Sequence, residues 1–457
     1  MSAKSISVYK KVTVWLLFTI VFIFIRHDKL DISAASNGAR GTFGTLADEP
    51  AESVLRGPWS GAITSSSVCV KAQIAKAGAK SRLIVSKTDD FLNPIYSEID
   101  TALEVNDLVV SFQINRLEPD TLYHYAIEVD GKRDDGKKGQ FKTFSDNPMS
   151  FSFAYGACQK TGADHRTYKT ILKKNPLFFM NIGDFHYQDI GVNDRKLYRE
   201  TYHANLDSPS QADLYRCVPF IYIWDNHDYS APNHCDSSSP SKEAACLTYQ
   251  EYVPHYPLPA GKGNVPIYQT FTVGRVKFIL MDLYSERSPK NVPKNKKSIL
   301  GLNQKLWLKQ ELLQSKGKYP LLFLISTSVW SNAPSSWGGF LEEKREIADF
   351  IKENQITGVC ILSADIHALA ADDGTHSDFA TNKGAPIPVC YAAPLAQYGK
   401  IAGGPYSQGS YVPVANEGCF GWVTVRDREE QIDVEYSGRN DQDQEKVSLK
   451  FSVPVHK

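Results

Sequence analysis

The sequence carries no excess of charge of either sign: Lys and Arg together number 51, as do Asp and Glu. That balance excludes recognition by bulk attraction to a polyanion, and no nucleic-acid-binding signature is present. No internal repeat and no low-complexity tract occurs, which removes solenoid and fibrous architectures. The chain also lacks any Asn-x-Ser/Thr sequon, so glycosylation gives no support for a eukaryotic secretory route. Charge is therefore silent about function, and the informative features lie elsewhere.

What is present is ordinary globular composition, 42% hydrophobic and 22% charged, in a chain too long for one small core. Its 457 residues predict two or three domains. Lys4, Lys10 and Lys11 precede an apolar run from Val12 to Ile25, similar to the first two parts of a secretory signal. The run is short against the ~20 residues of a membrane span. Small residues suited to cleavage (Ser33, Ala34, Ala35) come late, and no twin-arginine pair stands ahead of it. A cleaved signal and an uncleaved anchor both stay open, with a lean to the anchor. Either one predicts an extracytoplasmic protein, secreted or membrane-anchored through residues 12–25.

Residues 1–51 thus read as signal or anchor plus a polar linker. From 52 to 146 short β-type runs alternate with turn signals, which predicts a small β-sandwich. Its marker is Leu117-Glu-Pro-Asp-Thr-Leu-Tyr123, similar to the tyrosine-corner segment of fibronectin type III-like domains. From 147 to 457 apolar strands alternate with helices, and the pattern returns to β after Trp422, which predicts a layered α/β domain with a β-rich C-terminal part. Among eight cysteines, Cys235 and Cys246 bracket a Ser-rich loop that a disulfide could close; Cys217 and Cys360 read as buried thiols.

In layered α/β folds ligands gather beyond the carboxyl ends of the strands. Here four such ends carry metal-binding side chains: Ala157-Cys158-Gln159, Gly183-Asp184-Phe185-His186-Tyr187, Asp225-Asn226-His227-Asp228 and Ser363-Ala364-Asp365-Ile366-His367. Each has a bland reading. Cys158 alone is more often an inert buried thiol, Asp184 can cap a helix, and Asn226 and Asp228 can be turn residues. His367 can be a satisfied core histidine. Their joint occurrence favours metals. Cys158, Tyr187, Asp184 and His367 form an electron-donating set suited to ferric iron. Asn226 and Asp365, with a shared Asp184, are oxygen donors suited to calcium, magnesium or manganese. Asp184 is the expected bridge of a two-metal or larger cluster. His227, beside Asn226, is placed to donate a hydrogen bond or a proton to a leaving oxygen. Arg287 is a candidate for phosphate oxygens, although a surface salt bridge fits its position equally well.

These motifs resemble the PhoD-like alkaline phosphatase and phosphodiesterase family, distant relatives of purple acid phosphatases. The pieces run in order over residues 150–425: ACQ at 157–159, GDFHY at 183–187 and Pro219 to Asp228, then Phe278 to Asp282, Gln304 with Trp307, Ser336 to Phe340, and Ser363 to His367. The resemblance implies a metallophosphatase-type α/β sandwich behind a small fibronectin type III-like domain. It implies Cys158, Asp184, Tyr187, Asn226, Asp365 and His367 as metal ligands, and His227 and Arg287 as phosphate contacts, with His227 catalytic. It implies Fe(III) with Ca(II), the second metal alternatively Mg, Mn or Zn, and hydrolysis of a phosphate mono- or diester by metal-activated hydroxide. Three positions depart from the family: Asn226 stands where Asp is usual, Tyr284 replaces an Arg, and Ser363-Ala364 replaces Ser-Gly. The strand ending at Ser326-Thr-Ser also lacks the His of purple acid phosphatases. The competing expectations are a catalytically weak, metal-containing binding or adhesion protein of the same fold, and a metallohydrolase acting on a non-phosphate bond. Trp224 and Trp337 are candidates to line the cleft, with packing as the alternative.

Overall fold

Runs rich in β-branched and aromatic residues, broken by Gly, Asp and Pro, fold the first part of the described chain into antiparallel strands. The computed structural model describes residues 53–232 and 234–455; the predicted signal or anchor and linker lie outside them. One sheet holds Val54–Gly61, Ser67–Ile74 and Val109–Asn115, and a second centres on Lys80–Ser86 and Leu122–Val129. Their apolar faces share one core with the rest of the chain. Tyr123 is buried, and its hydroxyl accepts the Glu118 N–H at 3.0 Å. That bond ties the ring back to the upstream backbone.

Beyond residue 150 two mixed sheets form an α/β sandwich. The first has the order Phe220–Tyr222, Phe179–Asn181, Phe151–Gly156, Cys419–Asp427, Gln431–Asn440, Glu445–Pro454. Its first three strands are parallel, and Cys419–Asp427 joins antiparallel to Phe151–Gly156. The second sheet is built on the parallel strands Val276–Leu280, Leu321–Ser326, Val359–Ser363 and Val389–Ala392. These strands are buried along their whole length, as expected for strands covered on both faces. Aromatic rings fill the space between the sheets: Phe153 and Phe178 lie 4.8 Å apart, Phe271 and Phe278 4.5 Å, and Phe153 meets Phe278 edge-on at 5.4 Å.

The helices expected between the strands include Arg166–Lys174, Arg195–Leu206, Gly301–Ser315 and Leu341–Glu353. Two more, Pro209–Cys217 and Lys242–Tyr252, stand where the sequence suggested none. The second of these overturns the disulfide expectation. All eight cysteines are unpaired. Cys246 is buried inside the helix near the Val265 amide, while the Cys235 thiol donates to the Ala231 carbonyl at 3.1 Å. Cys360 is buried as expected, whereas Cys217 is half-buried. Among the described residues no helix is long and apolar enough to cross a membrane.

Candidate active site

Parallel strands end where the chain must turn back, and at these ends polar side chains find space between loops. Strand Phe151–Gly156 delivers Cys158, Phe179–Asn181 delivers Asp184 and Tyr187, Phe220–Tyr222 delivers Asp225, and Val359–Ser363 delivers Asp365 and His367. Gly183 makes the crossing possible. Its φ is +111°, and a Cβ there would sit 2.4 Å from the Cβ of Asp225, so only glycine lets the two loops touch. Cys158, Asp184, Asp365 and His367 all adopt left-handed backbone, with φ of 61°, 51°, 66° and 51°. Non-glycine residues rarely adopt it, and such strain concentrates at functional sites.

Two overlapping donor groups result. Single ligand atoms of Cys158, Asp184 and His367 lie within 4.8 Å of one another, and so do those of Asp184, Asp225 and Asp365. Asp184 belongs to both. Its Oδ2 accepts from the Tyr187 hydroxyl at 2.8 Å and from the Cys158 thiol at 3.4 Å, and its Oδ1 from the His227 backbone N–H at 3.3 Å. The Tyr187 hydroxyl also lies 3.1 Å from His367 Nε2. On the far side of the ring, His367 Nδ1 is 2.9 Å from the Tyr398 carbonyl. A carbonyl can only accept, so Nδ1 carries the proton and Nε2 presents a lone pair to the site.

Electrostatics suit the group to a cation. Asp184 is buried, and burial together with the nearby carboxylates of Asp225, Asp228 and Asp365 drives its pKa well above the carboxylate range. Burial and then Asp225 push Asp365 up to about 8. Burial raises Asp225 and the Cys158 thiol and lowers His367. Without positive charge the carboxyls and the thiol favour their protonated forms and His367 its neutral one; a bound cation would take the place of those protons and offset the charge of the cluster. Donor chemistry fits metal on both sides, thiol, phenol and imidazole on one and carboxylates on the other.

The structure brings Cys158, Asp184, Tyr187, Asp365 and His367 together. It adds Asp225, which the sequence pattern passed over in favour of its neighbour. Asp225 Oδ1 accepts from Thr327 Oγ1 at 3.1 Å. Asn226 opens the short helix Asn226–Tyr229 half-buried, and its side-chain amide makes no hydrogen bond among the described residues. Both follow the strand Phe220–Tyr222, so Asp225 joins the donors without displacing Asn226 from the set. Asp228 serves the loop instead. Its carboxylate accepts from the Asp225 and Phe185 N–H groups at 2.6 and 3.0 Å and from the Tyr222 hydroxyl at 2.5 Å.

His227 lies against Tyr187, ring centroids 4.1 Å apart, with Nδ1 2.6 Å from Asp189 Oδ1. Arg287 donates to the Leu283 carbonyl at 2.9 Å and to Ser328 Oγ at 3.3 Å, its guanidinium 4.2 Å over the Tyr284 ring. It makes no surface salt bridge among the described residues, and its charge acts on both Asp225 and Asp365. Trp224 and Trp337 are packing residues. Both are buried, with their indole N–H groups on Asp282 Oδ1 and Ser326 Oγ at 2.9 Å each.

The sequence profile of the PhoD-like phosphatase family matches residues 153–396, more than half of the chain and the whole of the donor cluster. The chain belongs to the PhoD-like phosphatase family. Alkaline phosphatase D of Bacillus subtilis (strain 168) is 24% identical over 371 residues, covering 70% of this chain and 61% of that protein. The solved structure of PhoD superposes with a TM-score of 0.71 at 18% identity, covering 88% of this chain and 92% of that one. A purple acid phosphatase from yellow lupin (Lupinus luteus) seeds superposes with a TM-score of 0.59 at 12% identity, covering 87% and 74%. Both structures share the fold of this PhoD-like chain.

Proposed function

We propose that this PhoD-like chain hydrolyses phosphate mono- or diesters at the cluster centred on Asp184. The observation that carries the reading is the pair of donor groups, each within 4.8 Å, that share this one carboxylate. Cys158, Tyr187 and His367 with Asp184 suit Fe(III). Asp184, Asp225 and Asp365, with the free amide of Asn226 beside them, suit Ca(II), or alternatively Mg, Mn or Zn. Bound there, the ions would offset phosphate charge and supply a nucleophile from water at moderate pH.

The chain's own residues do the rest. The Tyr398 carbonyl, accepting from Nδ1, holds the His367 ring with Nε2 inward. Arg287, fixed by Leu283, Ser328 and Tyr284, offers its remaining N–H groups to phosphate oxygens. Asp189 anchors His227 Nδ1, so Nε2 is the nitrogen left to hydrogen-bond or protonate the leaving oxygen. Residues 52–146 are read as a fibronectin type III-like domain and 147–457 as the catalytic domain. The apolar run 12–25 favours action outside the cytoplasm.

The test is hydrolysis of p-nitrophenyl phosphate and its bis-ester by the purified protein, with and without chelator, beside elemental analysis. Metal-dependent turnover is expected. Asp184→Asn should release metal and lower kcat by about 100-fold or more, since it alters the ligand shared by both groups. Bound metal with neither ester cleaved would point instead to a metal-containing binding or adhesion protein.

A further inference from the structure

The charge around the cluster is one-sided. Asp184, Asp225 and Asp365 meet there, and Arg287 is the cation already described. Its Nε and Nη2 are committed to Leu283 and Ser328. Tyr284 brings no charge, and its hydroxyl pairs with Ser328 Oγ at 2.9 Å. A second positive group comes from a different element, the loop after strand Val389–Ala392. That loop is tied to the site at several points. Gln159 pairs with Ala396, the Tyr398 carbonyl faces His367 Nδ1 at 2.9 Å, and the Lys400 N–H donates to the His367 carbonyl at 3.0 Å. The backbone of Lys400 is therefore held beside His367 while its side chain is exposed. Its Nζ has no partner among the described residues, and its charge reaches both Asp365 and His367.

We infer that Lys400 is a phosphate-binding residue of this site, and that it favours doubly charged monoesters over singly charged diesters. The inference rests on the phosphoesterase reading above and goes on to name the substrate class. A monoester dianion carries one more negative charge than a diester, and a free ammonium on a flexible stem at the rim can meet it without disturbing a ligand. The exposed ring of Tyr398 lies on the same loop, its centroid 5.1 Å from that of His367.

The experiment compares wild type, Lys400→Ala and Lys400→Arg on p-nitrophenyl phosphate and its bis-ester. Calorimetric binding of inorganic phosphate and metal content are measured on the same proteins. Loss of one charge-assisted hydrogen bond predicts that Lys400→Ala lowers kcat/KM about tenfold more on the monoester than on the diester. The same variant should weaken phosphate binding by about the same factor, with metal content unchanged and the Arg variant restoring both. The difference from wild type should shrink as salt is raised. Equal losses on the two esters, or unchanged phosphate affinity, would overturn the role of Lys400 while leaving the phosphoesterase reading intact. If wild type cleaves neither ester but Lys400→Ala still weakens phosphate binding, the enzyme reading fails and the anion site stands.

Discussion

Cys158, Asp184, Asp225, Asp365 and His367 are costly residues to bury together, and each sits in its place at the expense of stability. Asp365 shows the sign of that cost. Its pKa rises from 3.8 to about 8, driven first by burial and then by Asp225. In the metal-free protein the folded state therefore keeps a proton that the unfolded chain releases at lower pH. Stability is full below pH 3.8 as far as this group is concerned, and is lost as pH rises toward about 8. Bound cations remove the need for that proton. The expectation is that chelator-treated protein melts at progressively lower temperature between pH 5 and 8, on the order of the span of this shift, and that the metal-loaded protein does not. Thermal melts across that range, with and without chelator, measure it; parallel profiles would count against the cluster as a cation site.

The ends of strands, rather than their middles, decide whether the cluster forms. Asp282, just past Val276–Leu280, is buried and accepts five hydrogen bonds. They come from the N–H groups of Ile267, Tyr284 and Ser285, the Ser285 hydroxyl and the indole of Trp224. Gln304, from helix Gly301–Ser315, clamps the same residue by accepting its N–H and donating to its carbonyl. Trp224 precedes Asp225, so this tie also sets one donor of the cluster. Asp282→Ala should cost about 3–5 kcal/mol, the usual penalty for leaving several buried partners unmatched. Urea unfolding checks it, and a change under about 1 kcal/mol would contradict the assignment. Most of these elements were legible in the sequence, because fully apolar strands and amphipathic helices announce themselves through periodicity. The helix Lys242–Tyr252 was not. Its Ser-rich approach imitates a loop, and its buried face is made of small, tyrosyl and thiol side chains such as Ala244, Ala245, Cys246 and Tyr249. Asp225 was missed for a related reason: which side chains just past a strand end turn toward the cluster depends on the dihedral angles of a loop, which composition does not encode.

The described residues form one compact unit, and the N-terminal sheets are built into it. Trp59 is buried, its ring stacked on Tyr252 at 6.3 Å with its indole N–H on the Tyr252 carbonyl at 3.0 Å. Lys71 donates to the carbonyls of Gln250 and Glu251 at 2.6 and 2.9 Å, and Tyr125 to that of Arg216 at 2.8 Å. Trp59→Ala is expected to lower stability by about 3–5 kcal/mol and to move one calorimetric transition rather than split it. A separate early transition would show that the sheets melt on their own. The position of Cys419–Asp427 has a consequence for biosynthesis. Strand Phe151–Gly156, which carries Cys158 at its end, pairs on one side with this strand, and their contact between Ser152 and Thr424 spans 272 residues of sequence. While the chain is still emerging, the first strand of the α/β sandwich has an open edge and waits for one made far later. A nascent chain stalled before residue 419 would hold every proposed ligand and still lack the strand that closes the sheet beneath them, so capture of the proposed metals would belong to the end of synthesis.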